Sequence, residues 1–166
     1  MKYSYLVVFW SPFPITAPDF CMDFFSAFFR QRQEIQCLFC DSRQEERTLQ
    51  LLPRADLTVV ICRQNYQELC SWVTGELYRF TNCFYIIIDY IPEKDCSLLR
   101  ISRDFRIPPS RLACIPYNPE YREAARRGNS LRYWRACKKR GVCTAGIYFY
   151  RELQRGARAI LQALGE

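Results

Sequence analysis

Five short segments rich in β-branched and aromatic residues recur along the chain, at Tyr3–Trp10, Ile35–Asp41, Leu57–Cys62, Cys83–Tyr90 and Leu112–Pro116. Each is a nearly continuous apolar run. A strand with one wet face would alternate apolar and polar positions, so these runs suit strands covered on both faces. Helical periodicity fills the intervals, over Asp19–Arg32, Glu45–Leu52, Asn65–Phe80 and Ser97–Phe105, and two more helices follow at Glu120–Ala136 and Ala145–Leu164. Asp19 and Asn65 stand where an N-cap would accept bonds from free backbone N–H groups. Strands alternating with helices predict right-handed βαβ crossovers. The expected fold is therefore α/β: a doubly wound, mostly parallel five-stranded sheet, Rossmann-like, with helices on both faces. Such a sheet carries its ligand crevice outside the carboxyl ends of its strands, where strand order reverses.

The last helical pattern places Ile147, Tyr150, Leu153, Ala157, Ile160 or Leu161, and Leu164 on one face, with Arg151, Gln154, Arg155 and Arg158 elsewhere. This reads as a closing helix docked on the core, the competing reading being a helix lying on a membrane surface.

Length and composition narrow the picture. A chain of 166 residues predicts one domain spanning 1–166, and 49% hydrophobic with 25% charged residues predicts a packed fold. The strongest apolar runs, Tyr5–Trp10 and Phe84–Ile88, are strand-sized and far short of the roughly 20 residues that span a bilayer. The N-terminal residues show no basic leader and no signal-type apolar block, so a cytoplasmic location is expected. Ten cysteines sit largely within apolar patterns and read as reduced, buried thiols. The chain has no histidine, which removes the commonest general base near neutral pH and the commonest transition-metal ligand. A net charge of +7 favours an anionic partner.

From Ala55 onward the order of motifs resembles the second half of a MinD/ParA-type ATPase, a branch of the P-loop ATPases. Ala55-Asp56-Leu57-Thr58-Val59-Val60-Ile61 and the helix from Asn65 take the places of that family's Ala-Asp strand and its helix. Ile86-Ile87-Ile88-Asp89-Tyr90 stands where a family strand ends near an adenine-reading Asn. Ile115-Pro116-Tyr117-Asn118, then Glu123-Ala124 and Gly128, resemble the family's Ile-Pro turn and the helix after it. Upstream, Cys37-Leu38-Phe39-Cys40-Asp41 is similar to the run that ends in an Asp sensing magnesium-bound water. The Asp-Thr-Pro-Pro-Gly continuation is replaced here by Asp41-Ser42-Arg43-Gln44-Glu45.

The turn after the first strand departs furthest from the family. Phe9-Trp10-Ser11-Pro12-Phe13-Pro14-Ile15-Thr16-Ala17-Pro18-Asp19 stands where a working enzyme has glycines, lysine and a hydroxyl around the phosphates. Trp10-Ser11-Pro12 is similar to the start of this loop in some members. No glycine or lysine follows, three prolines lack N–H donors, and Asp19 brings a negative charge to the helix end that a phosphate would use. The span between the first helix and the Asp41 strand is also too short for the family's extra strand and its water-polarising Asp. The resemblance therefore implies a pseudo-ATPase with no catalytic residues and no cofactor. Trp10, Ser11, Pro12, Thr16 and Asp19 would be its degenerate phosphate loop, and it would serve partition, cell-pole or pilus-assembly machinery. ATP with magnesium, held at a residual site of Asp41, Asp89, Pro116 and Asn118, is the alternative. Whether Trp10–Pro18 plugs the crevice or forms a surface that a partner reads stays open.

Between Arg122 and Arg140, eight Lys/Arg side chains accompany one acid, Glu123, with Tyr133 and Trp134 among them. Arg126, Arg127, Arg132, Arg135, Lys138, Lys139 and Arg140 form a candidate surface for an anion or for nonspecific DNA, and a solvated helix face is the plainer reading. Tyr133 and Trp134 are alternatively anchors of a protein interface. Another protein is the expected partner, and dimerisation is open because family members dimerise across nucleotide. Cys37 and Cys40 have a redox-like spacing but, three apart in a strand, point to opposite faces. Cys137 and Cys143 have no second pair, so no metal is expected. A response-receiver reading of the five-strand fold lacks its acidic pair after the first strand and its late lysine.

Overall fold

The computed structural model describes residues 5–32, 34–73, 82–139 and 145–165. Its sheet has five parallel strands, β1 (Tyr5–Ser11), β2 (Ile35–Asp41), β3 (Leu57–Arg63), β4 (Cys83–Tyr90) and β5 (Leu112–Pro116), in the order β2-β1-β3-β4-β5. This is the expected doubly wound arrangement. Strand positions fall within two residues of those read from the apolar runs.

Both faces of the sheet are covered, which is why the runs are continuous. On one face Val7, Phe9, Val59, Ile61, Phe84, Ile86 and Ile88 pack against α1 (Met22–Arg30) and α7 (Ala145–Leu164). On the other face, Val8, Trp10, Val60, Cys62, Tyr85 and Ile87 meet Leu52, Leu69, Ile101 and Phe105. Leu52 follows α2 (Glu45–Leu51), Leu69 lies on α3 (Tyr66–Val73), and Ile101 lies on α4 (Leu98–Asp104) with Phe105 just beyond its end. Residues 7 and 9 on one side and 8 and 10 on the other follow the two-residue period of a strand. Trp10 thus belongs to the core. Cys37 and Cys40 pack into opposite layers, as three-residue spacing in a strand requires.

Asn65 caps α3, accepting from the N–H groups of Gln67 and Glu68 at 3.0 and 3.3 Å. Asp19 caps no α-helix: it sits in a 3-10 turn, Ala17–Phe20, and accepts from the N–H and hydroxyl of Thr16, both at 2.7 Å. The residue ahead of α1 is Cys21, in the left-handed region at φ 58, with no side-chain cap.

The helix expected over Glu120–Ala136 is two, α5 (Pro119–Arg126) and α6 (Ser130–Lys139). Gly128, at φ 70, ends the first: its N–H bonds to the Ala125 carbonyl and that of Asn129 to the Ala124 carbonyl, a left-handed C-terminal cap that glycine adopts without a Cβ penalty. In α7 the buried stripe is Phe149, Leu153, Ala157 and Ile160, so the helix is rotated slightly from the face read through Ile147 and Tyr150, both half-buried. It docks on the core. No described helix is long and apolar enough to cross a membrane.

Candidate functional site

The chain runs from β1 to β2 on one side, then crosses back over β1 to β3 and continues through β4 to β5. Strand order therefore reverses between β1 and β3, and the crevice of such a sheet lies outside their carboxyl ends. Here that place is filled. The Arg63 guanidinium lies over the Phe13 ring, 5.0 Å from its centroid, and Ile15 turns inward and is buried.

The loop after β1 spends its donors internally. The N–H of Phe13 donates to the buried Ser11 hydroxyl at 3.3 Å, that of Ile15 to Asp41 at 3.4 Å and that of Thr16 to Asp19 at 2.7 Å. Pro12, Pro14 and Pro18 have none to give. Two carboxylates thus stand where a phosphate-binding loop would hold its ligand's oxygens.

Asp41 ends β2 and is buried. Arg43 closes on it with Nε 3.2 and 3.0 Å from the two carboxylate oxygens and Nη2 at 2.5 Å, while Nη2 also donates to the Ile15 carbonyl at 3.0 Å. Its hydrogen bonds from Arg43 hold the Asp41 carboxyl below its ordinary range, with burial opposing. The arginine ties β2 to the loop after β1.

A second ionic group centres on Arg122. Arg122 Nη2, on α5, is 2.6 and 2.7 Å from the Asp89 oxygens and 3.3 Å from Asp19, and the guanidinium covers the Tyr117 ring at 5.4 Å. Asp89 sits at φ 54, where the pairing of β4 with β5 is irregular. Burial pushes its carboxyl up, against the pull of Arg122. Below this group, Asp23 accepts from the Tyr121 hydroxyl at 2.5 Å and from the Trp134 indole at 2.7 Å. Asn118 caps α5, accepting from the Tyr121 N–H and donating to the Tyr133 hydroxyl, each at 2.8 Å.

A pocket of about 410 Å³ remains open at the ends of β4 and β5, lined by Tyr90, Pro92, Pro116, Tyr117, Tyr148 and Phe149 among others. It is mainly apolar and aromatic, suited to a flat ring.

The structure brings Asp19 and Asp89 together through Arg122, and Asp41 to the loop through Arg43. Pro116 and Asn118 border the open pocket, but the Asn118 amide is taken up by its cap and by Tyr133. Among the basic candidates, Arg126, Arg127, Arg132 and Arg135 are exposed, the first two near Glu123 at 3.9 and 2.8 Å. The side chains of Lys138 and Lys139, and Arg140 and Cys143 altogether, lie outside the described residues. Trp134 is buried against Phe24, Tyr121 and Phe149, so it is a core residue and no interface anchor. Tyr133 is half-buried with its hydroxyl on Asn118.

Arg122 and Asp23 were not singled out by sequence. Arg122 stands near the start of α5, where a cation gains nothing from the helix dipole, and its partners come from other elements. Asp23 meets residues about a hundred positions away, and no local spacing signals that.

No family model matches this sequence, and no curated protein matches it.

Proposed function

We propose that this chain is a catalytically inactive relative of the MinD/ParA ATPases, a pseudo-ATPase that acts as a binding or positioning module. The observation that carries the reading is the loop after β1, whose Phe13, Ile15 and Thr16 N–H groups donate to the chain's own Ser11, Asp41 and Asp19. A triphosphate would have to displace two carboxylates and then approach them, and Arg43 and Arg122 already neutralise the charges that a metal would meet. Titration of the protein with ATP and magnesium, followed calorimetrically and by phosphate release, should give neither saturable heat nor turnover. Stoichiometric binding with phosphate release overturns the reading.

The pocket beside Tyr117 and Tyr148 favours a second reading, retention of a nucleobase-sized ring without phosphate chemistry. Adenosine binding that is unaffected by adding magnesium, and weakened by Tyr117→Ala, supports it. No thermal shift with any nucleoside rejects it. A nonspecific DNA surface on Arg126, Arg127, Arg132 and Arg135 would have to work by phosphate contacts, since Trp134 is not available to stack on bases.

A further inference from the structure

The strand β5 stands last in the sheet order, so among the described residues one of its edges has no strand beside it. In a parallel ladder alternate residues direct both backbone groups to the same neighbour, so every other residue of β5 turns its N–H and C=O outward. A pocket of about 510 Å³ follows this edge. It is lined by Leu98 and Pro109, by Leu112, Ala113 and Cys114 of β5, and by Arg151, Arg155 and Arg158 of α7. Helix α7 lies close on the strand at Gly156, where a Cβ would stand 3.5 Å from that of Ala113. The three arginines are exposed, and Glu152, 3.9 Å from Arg155, is the carboxylate among the lining residues.

We infer that the edge of β5 takes up an extended, acidic segment of a partner protein as an added strand, its backbone paired to β5 and its carboxylates set against Arg151, Arg155 and Arg158. An open edge supplies main-chain bonds and a groove supplies the side-chain selection, the two elements of strand addition. Charge decides the partner. A second copy pairing edge to edge would bring one arginine row against another, in a chain of net charge +7. A nucleic acid would meet the arginines but leave the ladder groups unused. The strand has five residues and ends at Pro116, which has no N–H, so the matching segment is short. This surface is separate from the loop after β1 and stands whether or not nucleotide binds there.

The test uses the full chain and a fluorescein-labelled nine-residue peptide, Thr-Glu-Val-Asp-Ile-Glu-Val-Asp-Thr, followed by anisotropy. Saturable binding is expected, with a lysine-for-acid version weaker by at least about tenfold. Two peptides N-methylated at alternate residues, one in each register, should differ: one loses binding and the other keeps it, because only one register faces β5. Replacing the arginines by glutamate (R151E, R155E, R158E) should weaken binding at least about tenfold, and the glutamine versions should do so less, with circular dichroism unchanged. No binding up to about 1 mM, equal binding of both N-methylated registers, or no effect of the arginine replacements overturns the proposal. So does displacement of the peptide by an equally charged thymidine oligonucleotide that binds more tightly, or a dimer in sedimentation that the peptide does not dissociate.

Discussion

Arg122 places one nitrogen 2.6 and 2.7 Å from the two carboxylate oxygens of Asp89, and the same guanidinium reaches Asp19 at 3.3 Å. One cation from α5 thus joins the turn ahead of α1 to the end of β4, segments that the chain visits about 70 residues apart in sequence.

Arg122→Met leaves two acids facing each other and should destabilise the fold by about 1–2 kcal/mol, since the pair is only partly shielded from water. In a double-mutant cycle with Asp89→Asn, urea denaturation should give a coupling of about 0.5–1.5 kcal/mol. Additive losses would mean that the contact is incidental.

Asp23 accepts from two groups inside the aromatic cluster. Asp23→Ala strands the Tyr121 hydroxyl and the Trp134 indole N–H and should cost about 2–4 kcal/mol, while Asp23→Asn, which keeps an acceptor, should cost less. Urea midpoints followed by tryptophan fluorescence distinguish the two.

The two strand-end carboxylates have opposite effects on stability against pH. Asp41 has a folded pKa below its unfolded one, so the native state binds fewer protons; its contribution is full above the unfolded value and is lost as pH falls through the folded one. Asp89 is raised, so the native state binds more protons and stability falls as pH rises from the unfolded to the folded value. Asp41→Asn should therefore flatten the acid loss of stability, and Asp89→Asn should steepen it. Urea midpoints measured from about pH 3 to 6 read both slopes.

Burial pushes the thiols of Cys62 and Cys114 up to about 12. At pH 8 both should react with iodoacetamide at least about a hundredfold slower in the native protein than in denaturant. Peptide mass mapping checks each site, and rapid native labelling of Cys62 would contradict its place under α3.

The sheet was legible because its signal is local: runs such as Val59-Val60-Ile61-Cys62 are apolar at every position only when both faces are covered. The absence of glycine and lysine from the turn after β1 was legible for the same reason, being confined to one turn. Asp19 was misread as a helix cap because its spacing from the apolar run fits one, whereas Cys21 takes a left-handed conformation and starts the helix later. The break at Gly128 was missed because the polar pattern runs on through it, and only a positive φ reveals the turn. The counter-ions were out of reach. Arg43 lies two residues from its partner and Arg122 thirty-three from its own, yet nothing in the spacing of either separates them from other arginines that face water.

The strand order has a consequence for how the chain reaches its native state. β1 precedes both of its neighbours in sequence yet lies between them, paired to β2 on one side and β3 on the other. Until the segment up to Arg63 is in place, Tyr5–Ser11 presents an unpaired edge and two apolar faces at once. During synthesis this leaves the stretch open to wrong pairing with other chains, and lengthening the segment between β2 and β3 would delay its rescue.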